Sequence, residues 1–190
     1  MNLPNKLTLG RVVIMMVVVA LASIPPDLLE KSHLLPWRIC YVLAIIAGFT
    51  DFLDGYIARK YKLVTDFGKL MDPLADKIFT IGGFIILSFY HLVPHWITII
   101  LLTRELAVTG LRSLAAGKGR VLAAANIGKA KTFFQMIMLL IGGAIWCELI
   151  TLDGMLASAW PWMLAALAGY TAWTGVVYFY HNRDLYIHEM

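Results

Sequence analysis

The stretch that decides the fold is "TDFLDGYIAR", residues 50–59, which follows the almost wholly apolar run "WRICYVLAIIAGF", residues 37–49. Asp51 and Asp54 lie three residues apart, so on a helix they share one face. If the apolar run is a membrane helix, each Asp costs about 2.5–3.5 kcal/mol on an insertion scale. Two such costly residues on one helix face therefore indicate a functional site.

A second pair of aspartates, Asp72 and Asp76, opens the next apolar stretch. Their i, i+4 spacing again predicts one helix face. A short loop joins the two predicted helices, so all four carboxylates can converge. Without counterions they would repel one another, and Mg²⁺ or Mn²⁺ with oxygen ligands would relieve that repulsion. The alternative is that they are interfacial charges paired with basic neighbours, namely Arg59, Lys62 and Lys77.

The composition indicates an integral membrane protein. Of 190 residues 60% are hydrophobic and 15% charged, whereas a soluble domain is about 45–50% apolar and about 25% charged. The length predicts a single domain over residues 1–190. The net charge of +4 calls for no nucleic-acid partner if the basic residues lie on the cytoplasmic side of a membrane.

Six apolar stretches predict an all-α fold of six transmembrane helices, since each is close to the roughly 20 residues a span needs. They cover roughly residues 8–24, 37–59, 70–91, 95–116, 128–150 and 158–180. Basic residues concentrate at alternate ends, which places both termini and the aspartates at the cytoplasmic face of the cell's inner membrane. The "ALAS" segment, residues 20–23, is similar to a signal-peptide cleavage site, but the five later spans favour an uncleaved first helix.

The complete pattern D-x2-D-G-x2-A-R-x8-G-x3-D-x3-D, from Asp51 to Asp76, resembles the signature of the CDP-alcohol phosphotransferases. Three further segments extend the resemblance over roughly residues 4–135. "PNKLTLGR" resembles the amino-terminal motif of the family. "TRELAVTGLR", residues 103–112, and "GKAKTFFQ", residues 128–135, resemble the bacterial phosphatidylglycerophosphate synthases within it.

The resemblance implies a six-helix membrane enzyme, and a homodimer. It implies that two divalent ions, Mg²⁺ or Mn²⁺, are held by Asp51, Asp54, Asp72 and Asp76, with Asp76 also the general base. It further implies that the CDP-diacylglycerol donor lies beside Asn5, Thr8, Gly55, Arg59 and Gly68. The implied acceptor is sn-glycerol 3-phosphate, whose hydroxyl attacks the phosphorus attached to diacylglycerol while CMP leaves.

Four basic residues are candidates for binding the acceptor phosphate: Arg104, Arg112, Lys129 and Lys131. Arg104 lies near the middle of the fourth predicted helix, where an unpaired cation is expensive. Arg112, eight residues on, falls on roughly the same face. The lysines are equally explained as markers of the cytoplasmic helix end. Arg104 is otherwise explained by a structural pair with an acidic group, and Glu105 of the same chain is disfavoured because adjacent helical residues do not face each other.

Three functions are compatible with these patterns. The first is phosphatidyl transfer from CDP-diacylglycerol to glycerol 3-phosphate, which the two "TRE" and "GKAKT" segments favour. The second is cardiolipin synthesis with phosphatidylglycerol as acceptor. The third, from another class, is a divalent-cation transporter, which is disfavoured because transporter sites lie near the membrane midplane. Whether Cys40 and Cys147 form a disulfide is left open by the sequence.

Overall fold

A computed structural model describes residues 3–24, 34–60, 66–120, 122 and 126–186. For residues 3–6, 51–60, 66, 67, 69, 70, 126, 127 and 129 it describes the backbone only. These ranges contain six α-helices, one short 3-10 helix and no strand. The α-helices are α1 Leu3–Ala22, α2 Leu34–Lys60, α3 Asp66–Phe89, α4 His95–Gly117, α5 Asn126–Trp146 and α6 Gly154–His181, and the 3-10 helix is Arg183–Leu185.

The predicted all-α class and the number of helices are confirmed over the described ranges. Each helix begins at or a few residues before its apolar stretch. Across the described part of the chain, no helix has both the length and the apolar character required to span a bilayer. The prediction is therefore confirmed for the helices and not for their crossing of a membrane.

The chain divides into two compact units. Unit 1 consists of Met1–Leu92 and Leu139–Thr151, and unit 2 consists of Val93–Met138 and Leu152–Met190. The division falls within α5, which contributes its first part to unit 2 and its end to unit 1. The functional assignment of residues 1–190 to one domain stays a prediction.

Unit 1 is organised around one face of α1, which packs against α2 and α3. The buried residues of that face recur every three or four positions, as helical packing requires: Thr8, Arg11, Met15, Val18 and Ala22. Met15 lies against Gly82 of α3, where an added Cβ would come within 2.6 Å of its side chain. This close approach packs the second half of α1 against the later part of α3.

The other end of unit 1 is closed by aromatic side chains. Trp37 stacks on Trp146 with ring centroids 5.3 Å apart, and Tyr90 meets both rings. The Tyr90 hydroxyl donates to the carbonyl of Ala22 over 2.7 Å. Cys147 is fully buried beside this group and its thiol donates to the carbonyl of Trp37. Both cysteines are free thiols, so the open question of their pairing is answered in favour of the reduced form.

Unit 2 is built on the packing of α4 against α6. A Cβ on Gly175 would lie 3.0 Å from Cγ of Arg104, so glycine permits the helices to approach at that level. Further along, one apolar cluster ties the end of α4 to α6 and to the 3-10 helix: Val108, Leu111, Ala115, Tyr178 and Leu185. The ammonium of Lys118 donates to the carbonyl of Leu185 over 2.6 Å, which fixes the 3-10 helix on the end of α4.

Candidate active site

Unit 1 carries the aspartates of α3. Asp72 and Asp76 are both exposed, and four residues of helix bring them to one face. Thr8 of α1 is 1% exposed, and its hydroxyl donates to Oδ1 of Asp72 over 2.8 Å. This hydrogen bond ties the Asp72 carboxylate to α1, so α1 orients one of the predicted metal ligands. Gly68, one turn before Asp72, is buried.

The first aspartate pair lies in the last turns of α2, where the backbone is helical as predicted. The side chains of Asp51, Asp54, Gly55 and Arg59, and that of Asn5 in α1, lie outside the described residues. The convergence of the two carboxylate pairs therefore stays a prediction.

The chemistry of the described donors fits a hard cation. Two exposed carboxylates one turn apart supply oxygen ligands, the type that Mg²⁺ and Mn²⁺ prefer. The hydroxyl of Thr8 donates to Asp72, so the bonded carboxylate oxygen serves as an acceptor, which is the role a metal-binding oxygen also has. Among the side chains that the structure describes, no three acidic, histidine or cysteine groups come together as a metal site.

Unit 2 carries the predicted anion-binding residues, and they are joined by an acid that the sequence analysis did not assign to the site. The carboxylate Oε1 of Glu105 accepts a hydrogen bond from the ammonium of Lys131 on α5. The same oxygen lies 3.4 Å from Nη1 of Arg104. The expectation that Glu105 is a poor partner for its neighbour Arg104 is therefore wrong, because both side chains are long enough to meet although they leave the helix in different directions.

This ion triad is largely removed from water. The side chains of Arg104, Glu105 and Lys131 are 12%, 14% and 5% exposed. Buried charges are tolerated only when paired and hydrogen-bonded. Two cations share the carboxylate of Glu105, which holds both of their side chains in place.

Arg112 lies two turns further along α4 and is exposed. Its Nε donates to the hydroxyl of Tyr178 over 3.2 Å, and its guanidinium carbon lies 5.7 Å from the centre of that ring. Tyr178 comes three residues after Gly175, which contacts Arg104. Both arginines thus face α6, which agrees with their predicted shared face. The side chain of Lys129 lies outside the described residues.

Two residues of this region were missed by the sequence analysis. The signal for Glu105 was present, since it stands inside the "TRE" segment directly after Arg104. No sequence signal marks Tyr178, which lies in an apolar helix and becomes relevant only because α6 packs on α4.

Sequence comparison places this geometry in a known family. A family model for CDP-alcohol phosphatidyltransferase matches residues 1–177. The chain is 44% identical over 141 residues to the CDP-diacylglycerol–glycerol-3-phosphate 3-phosphatidyltransferase of Bacillus subtilis, which covers 72% of this chain and 73% of the relative. It is 38% identical over 180 residues to the Rickettsia typhi protein of the same name, at 94% and 95% coverage.

A third relative is the probable phosphatidylglycerophosphate synthase of Mycobacterium tuberculosis. It is 36% identical over 177 residues, which are 93% of this chain and 79% of the relative. The family model covers the segments that carry both aspartate pairs and the basic residues of α4 and α5. The chain belongs to the CDP-alcohol phosphatidyltransferase family.

Proposed function

We propose that the protein transfers the phosphatidyl group of CDP-diacylglycerol to sn-glycerol 3-phosphate, giving phosphatidylglycerophosphate and CMP. The observation that carries this proposal is the 38% identity over 94% of the chain to a protein named for that reaction. The "TRE" and "GKAKT" segments support the same acceptor, because they supply the buried cations of unit 2.

The aspartates would provide the metal chemistry. A requirement for divalent metal ions is general in this family, and here Asp51, Asp54, Asp72 and Asp76 would hold two ions, Mg²⁺ or Mn²⁺. When bound, such ions neutralise charge on the diphosphate of the donor. The hydrogen bond from Thr8 supports this role for Asp72, because a fixed carboxylate loses less freedom on binding a cation.

Residues of the chain would remove the proton from the acceptor and bind the donor. Asp76 would take the proton from the primary hydroxyl of the acceptor. The hydroxyl oxygen then bonds to the phosphorus attached to diacylglycerol, the bond from that phosphorus to the CMP oxygen breaks, and CMP departs with the electron pair. The donor would lie beside Asn5, Gly55, Arg59 and Gly68. Thr8 would act on the donor through Asp72, since its hydroxyl is directed to that carboxylate.

The acceptor phosphate would bind to the basic residues of unit 2, namely Arg104, Arg112, Lys129 and Lys131. The burial of Arg104 and Lys131 supports this assignment, because a buried cation attracts a phosphate more strongly than an exposed one. Arginine also presents a planar set of donors suited to phosphate oxygens.

The substrates themselves support a membrane location. The acyl chains of CDP-diacylglycerol remain in a bilayer, whereas glycerol 3-phosphate and CMP are soluble in water. A multi-pass protein of the inner membrane, with both termini and the aspartates at the cytoplasmic face, meets both requirements. Six membrane spans and a homodimer, which the family resemblance implies, complete this proposal.

One assay tests the proposed function against its alternatives. Purified protein is incubated with Mg²⁺, CDP-diacylglycerol and, separately, glycerol 3-phosphate, phosphatidylglycerol, serine or inositol. We expect CMP and a new lipid with glycerol 3-phosphate alone. Product with phosphatidylglycerol alone would identify a cardiolipin synthase instead. Movement of Mn²⁺ into protein-containing vesicles without any CMP release would favour a transporter.

A further inference from the structure

Two buried polar groups of unit 2 have no role in the proposed phosphate binding. The side-chain amide nitrogen of Gln135 on α5 and the hydroxyl of Thr171 on α6 are buried, and neither has a hydrogen-bond partner among the described residues. Gln135 is 1% exposed and Thr171 is 0% exposed. Leaving a buried donor unsatisfied is costly, so such groups are rare unless a ligand or water completes them.

Both groups face the same interior as the ion triad. On α5, Gln135 follows Lys131 by four residues and so shares its face toward α4, where Lys131 meets Glu105. On α6, Thr171 precedes Gly175 by four residues and so shares the face that contacts Arg104.

The two groups also lie at the same level. Lys131 contacts Glu105, whose neighbour Arg104 lies against Gly175, and the ring of Phe134 contacts that of Tyr170 with 6.2 Å between centroids. The later residue of α5 thus meets the earlier residue of α6, so the two helices run antiparallel within unit 2. Moving forward along α5 therefore corresponds to moving backward along α6. Gln135 and Thr171 are each displaced by four residues, roughly 6 Å, on the same side of the triad.

The hydrogen-bond donors around this interior would be satisfied by a ligand that supplies oxygen acceptors. Arg104 adds an Nε that is buried and has no partner among the described residues. A guanidinium N–H, an amide NH₂ and a hydroxyl together can donate several hydrogen bonds but offer few acceptors. A small molecule that carries both a phosphate and hydroxyl groups matches this set, with its anion at the triad and a hydroxyl one turn away.

We infer that Gln135 and Thr171 form a hydroxyl-binding subsite, which recognises the secondary, non-reacting hydroxyl of the phosphorylated acceptor while the adjacent triad holds its phosphate. The inference rests on the proposed function, because glycerol 3-phosphate is the acceptor considered. It assigns acceptor selectivity to two residues outside the phosphate pocket. Removing the acceptor's secondary hydroxyl or the amide of Gln135 should therefore lower kcat/KM for the acceptor by the same factor. Removing both should lower it little further.

The test is a cycle of two acceptors and two enzymes, measured with full-length protein in lipid nanodiscs containing CDP-diacylglycerol and Mg²⁺. The acceptors are glycerol 3-phosphate and 1,3-propanediol monophosphate, which lacks only the secondary hydroxyl. In the wild type we expect kcat/KM to fall by roughly ten- to hundredfold for the analogue. In Gln135→Leu the two acceptors should differ by less than about threefold, with the KM for CDP-diacylglycerol unchanged.

Further variants keep the inference falsifiable if Gln135→Leu does not fold. Thr171→Val should reduce the discrimination between acceptors several-fold. Thr98→Val is the matched control, because Thr98 of α4 also buries a hydroxyl without a partner among the described residues but lies six residues before Arg104. It should keep the discrimination of the wild type.

Two results would overturn the inference, and they differ from each other. If folded Gln135→Leu or Thr171→Val discriminated between the acceptors as fully as the wild type, the subsite would be wrong while the proposed function stood. If the wild type released no CMP with glycerol 3-phosphate, the proposed function would fail and this inference with it.

Discussion

Thr8 and Asp72, 64 residues apart in the chain, are joined by a hydrogen bond of 2.8 Å from the threonine hydroxyl to the aspartate carboxylate. Thr8 is buried, whereas Asp72 is exposed. The bond connects α1 to α3 at the point where the proposed metal ligands begin. It gives the amino-terminal motif a structural task that the motif alone did not reveal.

Removing this hydroxyl should weaken metal binding. We expect Thr8→Val to lower Mn²⁺ affinity by about tenfold or more, since residues that orient a metal ligand contribute about that much. Thr8→Ser, which keeps the hydroxyl, should bind nearly as the wild type does. Electron paramagnetic resonance of Mn²⁺, without substrate, measures the affinity directly. Wild-type affinity in Thr8→Val, combined with a raised KM for CDP-diacylglycerol, would instead show that Thr8 contacts the donor.

The proposed base can be separated from the donor site. Asp76→Asn should abolish CMP release, because it removes the proton acceptor and one metal ligand. Binding of CDP-diacylglycerol should be only partly reduced, since three carboxylates remain. Asp184→Asn, at an exposed acid of the 3-10 helix, is the control and should leave turnover unchanged. Full activity of the wild type in excess EDTA would contradict the metal mechanism.

Arg112 should affect the acceptor and not the donor. Arg112→Ala removes a charged hydrogen bond and should raise the KM for glycerol 3-phosphate by roughly ten- to hundredfold, with the KM for CDP-diacylglycerol nearly unchanged. Tyr178→Phe removes only the oxygen that accepts from Arg112, so a rise of about threefold is expected. Steady-state kinetics with each substrate varied in turn measures both effects.

Variants of two further arginines serve as a control and as a contrast to Arg112→Ala. Arg183→Ala is the control, since Arg183 also lies over a tyrosine ring, at 5.0 Å from Tyr180, but outside the proposed pocket. It should change neither KM. Arg59→Ala should raise the KM for the donor instead. A weakened donor and an unaffected acceptor in Arg112→Ala would show that the two pockets are assigned the wrong way round.

The ion triad should be a unit of stability. Breaking a buried pair leaves an unpaired charge, at about 3–5 kcal/mol. We expect Glu105→Gln to lower the free energy of unfolding by an amount of that order, and Lys131→Met to lower it by less, because Glu105 then still pairs with Arg104. The double variant should be less destabilised than the sum of the two, because only Arg104, and not Lys131 as well, then lacks the carboxylate of Glu105. Denaturation midpoints of the three variants measure the coupling, and strictly additive effects would contradict it.

The proposed topology can be tested by thiol labelling of intact cells. Cys40 and Cys147 are both 0% exposed, so a membrane-impermeant maleimide should hardly modify the wild type. Arg120→Cys and Lys62→Cys should resist the reagent until the membrane is permeabilised. Leu149→Cys should react from outside. Labelling of the first two variants in intact cells would contradict the proposed orientation.

Local sequence patterns determined which residues form helices and which family the chain belongs to. The spacing from Asp51 to Asp76, together with the apolar stretches around it, is a property of adjacent residues and needs no tertiary contact to be recognised. For the same reason Arg104 and Arg112 could be placed on one helix face from their separation alone, since helical geometry fixes that relation.

Only the tertiary structure decided which partners those residues have. Thr8 meets Asp72 because α1 packs on α3, and Tyr178 meets Arg112 because Gly175 lets α6 approach α4. The sequence disfavoured Glu105 as a partner of Arg104 because adjacent residues point apart on a helix. In the structure, Arg104 and Lys131 of another helix both contact one carboxylate oxygen of Glu105. Such pairings depend on how helices far apart in sequence pack, which periodicity within one helix does not encode.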